Sequence, residues 1–290
     1  MKTEYYRINP LTIKFVYAED QIQLLPTYQH FSCNANVPDN EVISCSFYYE
    51  DENIPELFKT ETPCYENHSF TVYQDLDQFS IYTKEVTPPF GIRSMFIGPD
   101  NQAKISIKNS MKGQRILLDR PFDELIYNYF LYKNHNGFLC HASAAVIEGT
   151  GVLFIAPSGG GKTTMANICN ESNLVLNDER VALFVRDGRV YMSGTPFAND
   201  NQPFQNSTAE LKFVFMLAHG KENMAYPVEK RIAIPAFLDF YRHIIWGKAG
   251  LEKTLEVAKT IVDRVSVYRL MFLPDARVVD YIKKVIGNER

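Results

Sequence analysis

The strongest chemical signal in the chain is Ala156-Pro157-Ser158-Gly159-Gly160-Gly161-Lys162-Thr163-Thr164, which follows the apolar run GVLFI and opens helical text. Apart from Ala156 at the first position it matches G-x-x-x-x-G-K-[ST], the Walker A pattern, in the strand, loop and helix order that the pattern requires. Phosphate oxygens are met by several convergent backbone N–H groups, and glycines let the chain curl close with no Cβ in the way. Gly159, Gly160 and Gly161, with Ser158 before them, are placed to form that cradle. The helix beginning at Lys162 adds free N–H groups and a partial positive charge at its start. Lys162 is positioned to reach the β- and γ-phosphates, and the Thr163 hydroxyl to ligate Mg²⁺. Thr164 is grouped with the phosphate-binding residues, although helix packing or capping is the plainer use of its side chain. Ala156 requires a negative φ at its position or a slightly reshaped loop.

Two further places could serve that chemistry. Leu174-Val175-Leu176-Asn177 reads as a short apolar strand, and it ends in Asp178-Glu179. Strand ends are where an α/β sheet presents metal-binding and acid–base groups. One carboxylate would take a proton from an attacking hydroxyl while the other holds Mg²⁺ directly or through water. Strand alternation would point the two in opposite directions, and a salt bridge to Arg180 is the competing use. His141 precedes Ala142-Ser143-Ala144 on a strand leading toward the phosphate loop, and reads equally as a structural or a functional residue. The other histidines, His30, His68, His135, His219 and His243, show no metal spacing. No G-x-S-x-G elbow or Cys/His signature supports a protein nucleophile.

The elements that must hold these residues fall into two stretches. Residues 1–118 are short runs rich in Ile, Val, Tyr and Phe, separated by turn clusters such as NVPDN and PDNQ, and predict a mostly antiparallel β module. The period changes at Asp119, which can cap a helix with Pro121 in its first turn. Phe122, Leu125, Ile126, Tyr129 and Phe130 then recur at helical spacing until Gly137. Residues 119–290 alternate strand and helix around the phosphate loop, with a hairpin at Asp187-Gly188, and predict an α/β core with a mixed sheet. Helical text around IPAFLDFYRHIIW and LEKTLEVAKTIVDRV, a strand at SVYRLMFL and a helix from Asp275 complete the chain.

The 290 residues, 46% hydrophobic and 22% charged with 15 Gly and 15 Pro, exclude collagen-like, wholly disordered and disulfide-scaffold classes. Thirty Lys and Arg against 34 Asp and Glu leave no global basic field for nucleic acid or an anionic membrane. The N-terminal text lacks an apolar signal core and no run approaches a bilayer span, so a cytoplasmic location is expected. The five cysteines contain no C-x-x-C pair and are expected as reduced thiols.

At His141, at Ser158 to Thr163 and at Asp178-Glu179, in that order, the sequence resembles the kinase domain of HPr kinase/phosphorylase. That domain is in turn similar to the phosphoenolpyruvate carboxykinase nucleotide core. Gly194-Thr195-Pro196-Phe197, the strand 213–217 and the segment 265–275 also resemble those proteins, so the likeness covers roughly residues 119–290. It implies a P-loop nucleotide-binding fold with ATP and Mg²⁺ and transfer of phosphate to a serine hydroxyl of a small protein or peptide, or of a small molecule. It further implies Asp178 as catalytic base, Lys162 and the loop amides on the phosphates, Thr163, Glu179 and Asp178 at the metal, and His141 beside the γ-phosphate or metal. Glu179 departs from the family's aspartate, and the longer side chain puts direct metal ligation in question. H-x-S-A at His141 to Ala144 is shared with the carboxykinases, but the chain is roughly half their length.

Two readings of different class therefore compete. One is an ATP- and Mg²⁺-dependent serine kinase; the other is a nucleotide-binding regulatory or peptide-recognition module without transfer. The residues do not separate ATP from GTP or pyrophosphate as donor, nor exclude the reverse, phosphate-consuming direction. Residues 1–118 are open to a substrate-binding or assembly role; relatives assemble into oligomers, but no coiled-coil seam is visible here.

Overall fold

The computed structural model describes residues 1–289 except 20, 35–40, 53, 85–90, 119–120, 199–200 and 241–246, with side chains also undescribed at 247–249. It is mixed α/β with several sheets, and it divides into two compact units: 1–130 with 243–251, and 131–242 with 252–290. The division falls inside a helix, after Phe130, rather than at the change of sequence period. The expected cap Asp119, the turn cluster at 36–40 and the end of the IPAFLDFYRHIIW helix, with His243, lie outside the described residues.

In the first unit, β1 (Lys2–Ile8), β2 (Leu11–Tyr17), β3 (Ile22–Leu24) and β4 (Val42–Tyr49) are followed by β5 (Tyr65–Glu66) and β6 (Phe70–Asp75). Then come β7 (Gln78–Thr83), β8 (Ile92–Ile97), β9 (Gln102–Ile107) and β10 (Ile116–Leu118). Eight of them form one sheet in the order β1-β2-β4-β9-β8-β7-β6-β5. Outer pairings are antiparallel as the turn clusters suggest, but β2–β4 and β4–β9 are parallel, and so is β10–β3. Parallel neighbours need long crossovers; here residues 18–41 and the whole β5–β8 meander supply them, and turn chemistry alone does not reveal such long-range pairing. Ile13, Phe15, Tyr17 and Ile43, Cys45, Phe47 alternate into the core at period two. Helix α1 (Phe122–His135) is anchored in this unit by Tyr28 donating to Asp123 (3.1 Å), Tyr127 to the Asn9 carbonyl (2.8 Å) and Tyr129 to the Asp77 carbonyl (2.7 Å).

The second unit holds a nine-stranded mixed sheet. Its first members are β11 (Phe138–Cys140), β12 (Ser143–Ile147), β13 (Thr150–Ile155), β14 (Leu174–Asn177), β15 (Val181–Arg186) and β16 (Arg189–Ser193). The remainder are β17 (Thr208–His219), β18 (Met224–Pro227) and β19 (Ser266–Phe272). Strands β13, β17 and β19 run parallel side by side, and β13 is buried along its whole length, the pattern of a strand covered on both faces. β17 changes partners along its twelve residues, with Thr208–Glu210 on β16 and Phe213–His219 on β19. The turns Glu148-Gly149 and Asp187-Gly188 have both residues at positive φ, the geometry that fits the twist of two-residue hairpins.

Helices α2 (Lys162–Asn170), α3 (Lys230–Phe240), α5 (Arg277–Asn288) and, from Glu252 onward, α4 (Gly247–Val262) complete this unit. Met165, Ala166 and Cys169 of α2 and Val278, Val279, Ile282 and Ile286 of α5 join Phe154, Phe215 and Leu270 in one apolar core. The α5 spacing is the amphipathic period its sequence shows. β18 escapes sequence reading because it is four residues long and ends in proline. Among the described residues no helix is long and apolar enough to cross a membrane.

Candidate functional site

The phosphate-loop sequence runs from the end of β13 to the start of α2, beside the C-terminal ends of β17 and β19. Crevices at the carboxyl ends of parallel strands are where open α/β sheets place ligands. Gly159 (φ 76°) and Gly161 (φ 96°) are left-handed, whereas Ala156 is not among the residues with positive φ, so alanine is accommodated without strain there. A Cβ on Gly160 would sit 2.7 Å from the Ala156 Cβ, and one on Gly161 2.7 Å from Cζ of the buried Phe272. Glycine is therefore demanded by packing at Gly160, and by both packing and conformation at Gly161.

This gives a first prediction. A left-handed conformation costs an L-residue about 1–2 kcal/mol, so Gly159→Ala, with open space around its Cβ, should cost about that much. Gly161→Ala adds the clash with Phe272 and should be the more destabilising of the two in urea unfolding. Equal losses would contradict the packing argument.

Around the loop lies a cavity of about 380 Å³, within the range of small-molecule sites. Its walls bring together the sequence-predicted His141, Ser158, Gly159, Gly161, Lys162, Thr163, Thr164, Asp178 and Glu179. Gly160 is in the loop but does not line the cavity. Lys162 is buried and folds back to donate to the Ala156 carbonyl at 2.8 Å and reach that of Pro157 at 3.5 Å. Thr163 and Thr164 are exposed on the first turn of α2, which carries no acidic residue. The helix start thus presents its positive end to the cavity, and the carboxylates it faces, Asp178 and Glu179, come from another part of the chain.

Asp178 is buried and lines the same cavity. The Ser143 hydroxyl donates to its Oδ1, Gln202 Nε2 donates to Oδ2 at 3.2 Å, and Thr163 also hydrogen-bonds it. Burial pushes this carboxyl above the ordinary aspartate range, and the Glu179 charge adds to that. The hydrogen bonds from Ser143 and Thr163 and the Lys162 charge offset only part of it.

Glu179 lines the same cavity rather than pointing away. The pair lies just past β14, in a bend where strand alternation no longer applies. Arg180 Nη1 holds Glu179 Oε1 at 2.7 Å, so the salt bridge that competed with metal ligation in the sequence is present. His141 Nε2 lies 3.6 Å from Glu179 Oε2. His141 sits in the gap between β11, which pairs with β15, and β12, which pairs with β13 and β14. Its backbone N–H donates to the Phe240 carbonyl at 2.8 Å. Sequence reading ran these two strands together; the break between them places the imidazole at the site.

Sequence reasoning missed four contributors. Ser143 and Gln202 hold Asp178; His219 reaches the Gly159 carbonyl at 3.3 Å and stacks on Phe272; Asn177 shapes the bend. Only Asn177 carried a local signal, since asparagine commonly bonds backbone two residues on. The five cysteines form no disulfide with one another, and burial pushes Cys140 and Cys169 up to about 12, leaving them as apolar packing groups at neutral pH.

Among the described residues no three His, Cys, Asp or Glu side chains are grouped to hold a metal ion. The donors beside the loop are a threonine hydroxyl and carboxylates, all hard oxygen ligands. That set fits Mg²⁺, which takes one or two carboxylates together with substrate phosphates and water rather than an all-protein cage. The left-handed glycines likewise leave a concave backbone surface suited to phosphate.

No protein-family model and no curated protein matches the chain. Among solved structures it is similar, at 14% identity and a TM-score of 0.32, to the Hpr(Ser) kinase/phosphatase from Coxiella burnetii, over 52% of this chain and 95% of that one.

Proposed function

We propose that the chain is an ATP- and Mg²⁺-dependent phosphotransferase that moves the γ-phosphoryl group to a serine hydroxyl of a small protein or peptide. The chemistry is assigned to residues 119–290 as a P-loop core of the HPr kinase and phosphoenolpyruvate carboxykinase type, with acceptor recognition or assembly left to residues 1–118. The observation that carries the reading is one cavity lined both by a left-handed glycine loop with Lys162 and by a buried, hydrogen-bonded carboxylate, Asp178.

In this reading the amides of 159–161 and the Lys162 ammonium bind the β- and γ-phosphates. Lys162 leaves the Ala156 carbonyl to do so, a rotation of its own side chain. Thr163, with Asp178 and Glu179, would hold Mg²⁺, which supplies charge neutralisation and fixes the phosphate oxygens when bound. Asp178 takes the serine proton as the new P–O bond forms and the bond to the β-phosphate breaks, releasing ADP. An acid lifted above its ordinary range by burial is better matched to that transfer than a solvated one. His141, beside Glu179, adds a donor at the phosphate side. Positioning and charge placement account for most of the acceleration in such reactions.

The test is incubation with Mg-ATP labelled at the γ-phosphate and a pool of serine-containing peptides and small proteins. Acceptor-dependent ADP release and acid-stable phosphoserine are the expected products. A second reading, the nucleotide-binding regulatory or peptide-recognition module, draws on Lys162 turned onto its own loop and Glu179 held by Arg180. It predicts nucleotide binding with no transfer to any member of the pool.

A further inference from the structure

Both carboxylates of the site hang on a bend of three residues, and the hydrogen bonds fixing that bend come from two buried side chains with no access to the cavity wall. Asn177 is fully buried, and its Oδ1 accepts the backbone N–H of both Glu179 (2.7 Å) and Arg180 (2.8 Å). Its Nδ2 donates to the Thr195 carbonyl at 2.9 Å. Thr195, also fully buried, returns its hydroxyl to the Arg180 carbonyl at 2.7 Å and accepts from the Phe197 N–H at 3.3 Å.

The result is a closed ring. The Asn177 side chain holds the two amides that follow Asp178, and the Thr195 side chain holds the carbonyl that ends the bend. The segment leading into β17 closes over β14 beside the ring, with Gln205 N–H donating to the Leu176 carbonyl at 2.9 Å. A Cβ on Gly194 would come within 2.4 Å of that same carbonyl, so the two segments approach as closely as backbones can. Every polar atom of the Asn177 amide and the Thr195 hydroxyl faces bend or neighbouring backbone. A bend free to rotate would carry Asp178 away from Ser143 and Thr163, and misplacement by an ångström is enough to spoil a site of this kind.

We infer that Asn177 and Thr195 are positioning residues that set the direction of Asp178 and Glu179 toward the metal and phosphates. This inference rests on the phosphotransferase reading for the identity of what is positioned. Supporting groups that orient metal ligands typically change metal affinity by roughly 10- to 100-fold when removed.

The experiment compares wild type, Thr195→Val, which keeps the shape and loses the hydroxyl, Thr195→Ser, which keeps the hydroxyl, and Asp178→Asn. ATP binding is titrated calorimetrically in EDTA and again with Mn²⁺ as the metal probe. The expected result is that Thr195→Val binds metal-free ATP as wild type does, because the loop and Lys162 are untouched, while the gain in affinity on adding Mn²⁺ shrinks about tenfold. Thr195→Ser should retain that gain. Full metal enhancement in Thr195→Val alongside its loss in Asp178→Asn would overturn the positioning role and leave the functional reading standing. Absence of ATP binding by wild type would overturn both. Should Thr195→Val not fold, hydrogen exchange of the free wild-type protein decides: slow exchange at the Glu179 and Arg180 amides supports the ring, and exchange at unprotected rates overturns it.

Discussion

Asp178→Asn is expected to lower phosphoryl transfer by about 10²- to 10⁴-fold, the usual worth of a positioned general base, while Mg-ATP still binds and the free protein becomes more heat-stable at neutral pH. The three effects separate because they draw on different properties of one carboxyl group. Transfer requires a proton acceptor, which an amide is not. Binding rests chiefly on the loop amides and Lys162, which the substitution leaves in place. Stability reflects burial, which lifts the Asp178 carboxyl above the range it has in the unfolded chain. The folded state then holds its proton more tightly, so its stabilising effect is full below about pH 4 and is lost as pH rises through the raised folded value. An asparagine accepts from Ser143 and carries no charge to desolvate. The melting-temperature difference between the variant and wild type should therefore grow from acid toward neutral pH. Thermal denaturation between pH 4 and 8 measures it. A variant less stable than wild type at pH 8, with a gap that widens with pH, would mean that the hydrogen bonds to the carboxylate outweigh its desolvation.

How much of this was legible beforehand depends on the range of the interaction. The phosphate loop and its neighbouring strand and helix are local chemistry: glycine conformation, a lysine and a hydroxyl on consecutive positions, an apolar run before and a helical period after. Asp178 and His141 were visible as residue types near strand ends. Their meeting was not, because it depends on β12 lying between β13 and β14, a pairing without a local signature. The same limit hid Ser143, Gln202 and Thr195. Each acts on a residue 15 to 35 positions away; Ser143 and Thr195 stood in text that carried the resemblance, but what each of the three holds has no local signature. Glu179 illustrates the opposite case. Alternation along a strand predicted that it would face away from Asp178, and the prediction failed because the strand stops at Asn177, whose side chain turns the backbone. In the first unit, alternation did locate buried positions, while the parallel pairing of β2, β4 and β9 was set by crossovers that only the folded chain displays.

Lys162→Ala carries the second large effect. Lys162 is the buried cation of the loop, its ammonium 2.8 Å from the Ala156 carbonyl. Replacing it is expected to leave α2 folded, since Met165, Ala166 and Cys169 hold that helix to the core. The loss should therefore fall on nucleotide binding and not on the fold. The measurement that bears most directly on the central claim is a thermal-shift titration with Mg-ATP on wild type and Lys162→Ala. A ligand at 100 times its dissociation constant adds about 2.7 kcal/mol of stability. A saturable rise in the wild-type melting temperature of several degrees is expected, absent in the variant, with both proteins unfolding at similar temperatures when no nucleotide is added. An equal rise in both, or none in either, would contradict a phosphate site built on this loop.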